Sequence, residues 1–337
     1  MATKSTRTTL GSNDRSHILD NAKTLQELGM VKGTFADLVK QVGGETRYRL
    51  PIGVFSTGEE GVIKHWRYVR ATPFSGALYD SIKTIQETSG NKAILGIARS
   101  IAEVIESFST DEGEVISAKE LAAQMGYGGA KTHEFFTQMY LADIISMLIE
   151  VRRTSNDGNT SFSGIVGECP YCKFDHSRKE TMEHVFNLLD LDTHYYEGLS
   201  HNPYILVELA EPMESCFADQ DPMDAIVLQP IRLRDIEALQ GLKPQQSSSQ
   251  EFARRSICYI RGANPLDNAK PQPMGLAQFL KFQDSRKNIA LLMEVIEGTQ
   301  PGPDSNIEVD CTNCGKEWKM GLPWADLTNF CFPLGDP

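Results

Sequence analysis

Apolar and polar positions along this chain alternate in two rounds that follow a similar order. In the first, Arg47-Tyr-Arg-Leu-Pro-Ile52 is an extended run and Ser56-Thr-Gly-Glu-Glu-Gly61 a turn. Gly58 and Gly61 supply the positive-φ positions that such a turn needs. Ile63–Pro73 is the return strand, with Trp66 and Tyr68 sharing a face. Helical spacing follows at Leu78–Glu87 and Ala93–Phe108, where Ile94, Ile97, Ile101, Val104 and Ile105 form a stripe. Ser117 with Glu120 three residues on is a capping-box pattern and opens another helix. The strongest stripe, Phe136, Met139, Tyr140, Ile144, Met147, Leu148 and Val151, predicts one helix over His133–Arg152. A polar turn and a short strand at Ile165-Val166 then lead to Cys169-Pro-Tyr-Cys172.

The second round predicts a helix at Glu180–Asp190, strands at Tyr204–Leu209 and Ala225–Ile231, and a helix at Ile231–Leu239. Lys243–Gln250, rich in Gln, Ser and Pro, is the best internal linker. Helices at Phe252–Ile260 and Leu276–Glu297, a strand at Ile307–Val309 and a second Cys-x-x-Cys, Cys311-Thr-Asn-Cys314, complete the round. Val69-Arg-Ala-Thr-Pro73 before one helix also resembles Val227-Leu-Gln-Pro230 before another. The expectation is an α+β protein of two related β-hairpin-plus-helices halves, joined through a four-cysteine, zinc-ribbon-like site. The boundaries are an N-terminal arm at 1–45 with one amphipathic helix at His17–Val39, a first module at 46–175 and a second at 176–337.

Charge and length narrow the functions. The 337 residues have room for two ordinary domains, and a 40% hydrophobic share supports a buried core. The net charge of -12, with Glu208, Glu211, Glu214, Asp219, Asp221 and Asp224 in one stretch, lacks the basic footprint of a nucleic-acid binder. No apolar run approaches the roughly 20 residues of a membrane span, and the first residues lack the apolar core of a secretion signal. Seven cysteines, four of them in two Cys-x-x-Cys pairs, fit a reducing compartment, with Cys216, Cys258 and Cys331 expected as buried thiols.

The paired cysteines carry the chemistry. A two-residue spacer lets both sulfurs of a Cys-x-x-Cys point at one centre, and zinc takes four such ligands in a tetrahedron. Cys169, Cys172, Cys311 and Cys314 are therefore expected to share one structural zinc, with Gly315 in the turn and His176 and His184 as reserve ligands. A competing reading is redox chemistry, because Cys169-Pro-Tyr-Cys172 looks like the glutaredoxin motif. That motif belongs at a helix N-terminus within a βαβ unit, which this pattern lacks. No phosphate loop, dinucleotide fingerprint, nucleophile elbow or His-Glu-x-x-His is present, so no catalytic residue is nominated.

The order of motifs resembles the baseplate-hub and tail-assembly proteins of contractile-tailed bacteriophages of the T-even type. The resemblance is carried by Arg49-Leu-Pro51, Val69-Arg-Ala-Thr-Pro73, the run from Leu141 through Asp143 to the basic polar Arg152-Arg-Thr-Ser155, and the first Cys-x-x-Cys. The second strand pair, the closing Cys-x-x-Cys and the aromatic end at Phe330-Cys-Phe332 complete it. It implies a structural, non-enzymatic virion component made in the host cytoplasm. Such a protein contacts other tail proteins through hairpins and aromatic residues such as Trp324, Phe330 and Phe332, and can repeat in a symmetric assembly. Membrane and nucleic-acid partners are not expected. The alternatives are a zinc-ribbon adaptor in transcription or nucleic-acid metabolism and a thiol oxidoreductase.

Overall fold

The computed structural model describes residues 30–34, 39–42, 45–58, 61–75, 93–165, 168–175, 183–197, 205–214, 222–240, 254, 257–259, 272–299, 301–304 and 306–321. They form a mixed α+β protein of small antiparallel sheets and helices. Two compact units interleave along the chain: one takes Lys32–Tyr195, Arg232–Glu237 and Pro301–Pro337, the other Met1–Val31, Tyr196–Ile231 and Ala238–Gln300. The expected linear boundary at 175/176 therefore does not coincide with the division by contacts. No described helix is long and apolar enough to cross a membrane.

The first and larger unit is built on a five-stranded antiparallel sheet. Its strands are β2 (Val39–Val42), β3 (Glu45–Thr57), β4 (Ile63–Ala71), β5 (Ile105–Ser109) and β6 (Val115–Ser117), in that spatial order. Strand β1 (Met30–Thr34) and β2 occupy part of the segment expected to be helical, because their residues pair rather than coil. Helix α1 (Ala93–Val104) stops four residues short of its expected end at Phe108, since Ile105, Ser107, Phe108 and Ser109 pair with β4. Ser117 caps α2 (Ala118–Gln124) with the expected reciprocal box to Glu120.

The predicted helix over 133–152 is two helices, α3 (Thr132–Gln138) and α4 (Leu141–Ser155), parted at Met139 and Tyr140, whose backbones are extended. The break has a partner. Met139 accepts the Leu233 N–H at 3.0 Å, and Tyr140 bridges Arg232. Helix α4 packs on β3 and buries Ile144, Met147, Leu148 and Val151 in a core with Tyr48, Leu50, Trp66 and Phe108. After β7 (Ser161–Ile165), the segment expected to be a helix near 180–190 is instead β8 (Glu183–Asn187), paired antiparallel with β7. β9 (Asp192–Tyr196) follows and pairs antiparallel with the short β14 (Gly302–Pro303).

In the smaller unit, β10 (Ile205–Met213) and β11 (Met223–Leu228) form the expected second hairpin. Helix α5 (Leu233–Gln240), which belongs to the larger unit as far as Glu237, begins two residues after its expected start. β12 (Ile257–Tyr259) and β13 (Gln272–Pro273) extend the sheet, so Ile257–Tyr259 is a strand where a helix over 252–260 was expected. The long helix expected over 276–297 is α6 (Leu276–Gln283) followed by α7 (Arg286–Thr299). Phe279, Phe282, Leu291 and Leu292 from these helices pack on Val207, Ile226 and Leu228. The helix expected over Leu78–Glu87, the linker at 243–250 and the aromatic end lie outside the described residues, as does most of the helix expected at 17–39.

Both hairpins carry the same irregularity. Between the pairs Arg49–Tyr68 and Val54–Trp66, the four residues Leu50-Pro-Ile-Gly53 of β3 face only Arg67 of β4. Between Glu208–Ala225 and Met213–Met223, the four residues Leu209-Ala-Glu-Pro212 of β10 face only Asp224 of β11. Such bulges bend a strand and leave backbone groups without ladder partners. In the larger unit, Asp143 supplies them. Its fully buried carboxylate accepts the Ile52 N–H at 2.8 Å and the Gly53 N–H at 3.1 and 3.2 Å. In the smaller unit Asn288, 1% exposed, accepts the Glu211 N–H at 3.0 Å and donates to the Glu211 carbonyl at 2.9 Å. Gly53 has no substitute, since its φ is +82° and a Cβ would lie 2.6 Å from the Trp66 carbonyl oxygen.

Candidate metal centre

Each Cys-x-x-Cys closes an antiparallel pair of chain segments in the larger unit. Around the second, β15 (Asn306–Asp310) and β16 (Glu317–Gly321) form a five-pair ladder that ends at Asp310–Glu317. Val309, 1% exposed, and the half-buried Trp318 anchor this hairpin in the main core. Around the first, a bridge between Glu168 and Asp175 stands one residue before Cys169 and three after Cys172. Asp310 and Glu317 hold the same offsets from Cys311 and Cys314.

The backbone bonds inside the two turns also correspond. Cys169 donates its N–H to the Phe174 carbonyl at 2.8 Å, and Lys173 returns a bond to the Cys169 carbonyl at 2.9 Å. Cys311 donates to Lys316 at 3.0 Å, and Gly315 returns to Cys311 at 2.7 Å. The residue after the second cysteine is left-handed in both, Lys173 at φ 61° and Gly315 at φ 67°. The next amide, of Phe174 or Lys316, donates to the sulfur of Cys172 or Cys314. The expected role for Gly315, a turn that aims N–H groups at sulfur, is the one it has.

All four predicted site residues meet. Their sulfurs lie within 4.8 Å of one another, with Cys172 to Cys311 at 3.6 Å and Cys169 to Cys314 at 3.9 Å. None is joined in a disulfide. A tetrahedron with metal–sulfur bonds of about 2.3 Å has edges of about 3.8 Å, so the cluster has the dimensions to hold a metal ion. The first cysteine of each pair is buried, Cys169 at 0% and Cys311 at 1%, while Cys172 is half-buried and Cys314 exposed.

The electrostatics fit a cation. The Asn313 amide donates to Cys172 Sγ at 3.5 Å, and with the Phe174 N–H and the neighbouring thiols it pulls the Cys172 thiol down to about 6. The Lys316 N–H acts on Cys314 in the same direction. It is outweighed by desolvation and the shared hydrogen bonds of Cys311, Cys172 and Cys169, which lift Cys314 to about 12. Cys172 thus ionises readily while Cys314 is held protonated. A bound metal ion removes that difference. Beside the cage, Lys316 Nζ stands 4.9 Å over the ring of Tyr171, which is 56% exposed, tying one turn to the other.

Of the reserve ligands, His176 lies outside the described residues and His184 is a β8 residue opposite Gly164. Cys258 is a β12 residue opposite Val227, and Cys216 and Cys331 lie outside the described residues. Sequence reasoning missed Asn313, Asp143 and Asn288. Asp143 carried a signal, as a carboxylate between the apolar Ala142 and Ile144 of a core helix.

A cleft of about 400 Å³ between β3, β4 and the C-terminal end of α4 is lined by Glu45, Arg70, Glu150 and Arg153. Its charges are already matched. Arg153 Nε and Nη2 donate to the buried Glu150 carboxylate at 2.7 and 2.8 Å, and Arg70 pairs with Glu45 and Glu106. Comparison with protein-family models, curated proteins and solved structures finds no match.

Proposed function

We propose that this protein is a structural component of a phage contractile-tail baseplate, in the hub or its assembly, acting by protein–protein contacts. In this reading it is built of two related hairpin-plus-helices halves, and Cys169, Cys172, Cys311 and Cys314 hold one zinc ion as a structural staple. The observation that carries the reading is the meeting of four sulfurs from two turns with corresponding backbone bonds. Four thiolates favour zinc among the common divalent ions, and a closed tetrathiolate site leaves no position for substrate.

The equal bulges in the two hairpins support related halves. The baseplate assignment is supported by the order of motifs from Arg49-Leu-Pro51 to the second Cys-x-x-Cys. Exposed Val62 (57%) and Ile63 (43%) at the tip of the first hairpin supply apolar surface for a neighbouring tail protein. A redox role is disfavoured, because Cys169 is buried in a hairpin turn with antiparallel flanks and not at a helix N-terminus.

Two measurements test the proposal. Elemental analysis of the purified chain should find about one zinc per chain, and peptide mass spectrometry of purified contractile tails should find the chain in the baseplate fraction or in tail-assembly intermediates. Absence from both fractions overturns the baseplate reading. Salt-dependent binding to DNA or RNA would replace it with a zinc-ribbon adaptor.

A further inference from the structure

We infer that Asp143 and Asn288 are equivalent positioning residues, each the third residue of its helix, and that each holds open a four-residue bulge that sets the direction of a hairpin arm. Asp143 follows Leu141 and Ala142 at the start of α4, and Asn288 follows Arg286 and Lys287 at the start of α7. In both cases Oδ1 accepts the N–H of the third bulge residue, Ile52 at 2.8 Å or Glu211 at 3.0 Å. In both cases the side chain is at least 99% buried and four residues of one strand face one of the other.

The chemical difference between the two follows from the fourth bulge residue. At the first hairpin it is Gly53, whose N–H is shared between Oδ1 at 3.2 Å and Oδ2 at 3.1 Å, a second acceptor that only a carboxylate offers. At the second it is Pro212, which has no N–H. There the side chain's second group is better used as a donor, and the Asn288 amide meets the Glu211 carbonyl. Aspartate and asparagine are thus each the residue that completes the bonding of its own bulge. A bulge held this way bends its strand in one fixed sense, which turns a flexible hairpin into a directed arm. The value of that direction for docking rests on the baseplate reading above, whereas the holding of the bulge does not.

The test is residue-resolved amide hydrogen exchange by NMR on the full chain at about pH 8, where the Asp143 carboxyl is ionised, with metal content and tail incorporation measured on the same preparations. Asp143→Asn keeps one acceptor oxygen and turns an amide NH₂ toward Gly53. Exchange at Gly53 should rise by about ten-fold, the loss of one hydrogen bond, with Ile52 and Glu211 little changed. Asp143→Ala should release both Ile52 and Gly53, and Asn288→Ala should release Glu211 alone. Should either alanine variant fail to fold, Asp143→Asn and Asn288→Asp still give the site-resolved pattern. Equal exchange changes at Ile52 and Gly53 in Asp143→Asn, or none at either, overturns the inference even if tails incorporate the chain. Absence of the wild type from tails, with the exchange pattern as expected, overturns only the docking reading.

Discussion

The two cysteine turns share their backbone hydrogen bonds, sulfur positions and flanking pairs, and differ at one corner and in their footing. At the corner, Lys173 holds φ 61° where Gly315 holds φ 67°. In footing, the second turn stands directly on a five-pair ladder anchored by Val309, whereas among the described residues the first is flanked by the Glu168–Asp175 bridge and the β7–β8 ladder ends three residues before that bridge, at Ile165–Glu183. The comparison teaches that the geometry of the turn is set by the demands of the sulfurs. Where glycine is missing, the backbone takes the left-handed corner anyway, at a cost of roughly 1 kcal/mol, because the Phe174 amide must reach Cys172. The footing decides how each turn behaves when no metal is bound.

The largest expected effect separates the turns by removing a ligand. Cys311→Ser should abolish stoichiometric zinc and cost several kcal/mol of stability, as metal-linked folding does. In the metal-free protein, hydrogen exchange should rise around 168–175 far more than in β15 and β16. Equal loss of protection at both turns would mean that the ladder confers nothing.

The next contrast is between the two bulges, one held by a titratable group and one not. Burial pushes the Asp143 carboxyl up to about 7, although the Ile52 and Gly53 N–H bonds hold it down in part. Its folded value lies above its unfolded one, so its contribution to stability is complete below about pH 4 and lost as pH rises through about 7. The stability of the wild type relative to Asp143→Asn should therefore fall by up to about 1.4 kcal/mol per pH unit across that window and level off above it. Denaturant melts from pH 5.5 to 8 read this directly. A flat difference would place the carboxylate in a more polar setting than its burial indicates. Asn288→Ala, lacking a titratable group, should show no such slope.

Smaller effects come from the corners. Gly315→Ala has open space for its Cβ, so only the left-handed backbone resists it, at about 1 kcal/mol. Lys173→Gly should stabilise by a few tenths of a kcal/mol, relief of the corner being offset by the greater freedom of glycine in the unfolded chain. Chemical denaturation of zinc-loaded protein measures both. If the two changes have the same sign, the corners are not equivalent.

The parts legible in the sequence were those with a chemical or local signature. The four cysteines named their own meeting, the Ser117–Glu120 box opened a helix where expected, and both hairpins fell near their predicted strands. What failed were short apolar segments, in which helical and strand periods cannot be told apart. Glu183–Asn187 became a strand because β7 offered it a partner, and Ile257–Tyr259 because β11 did. The break at Met139 and Tyr140 has neither Gly nor Pro to announce it, since its cause is a bond to Leu233 far along the chain. The bulges were hidden for the same reason. Pro51 and Pro212 were visible, but the side chains that hold each bulge come from helices more than 70 residues away.

Cys172 and Cys311 are 139 residues apart in the chain. During synthesis at about 5–20 residues per second, the first pair of thiols therefore waits roughly 7–28 s for the second. Through that interval Cys169 and Cys172 can offer a metal only half a cage. The proposed capture of zinc is thereby placed late in the life of the nascent chain, after both hairpins have been made. On the zinc reading proposed above, the ion is a seal on a finished product, and a chain truncated before Cys311 keeps only two of its four ligands.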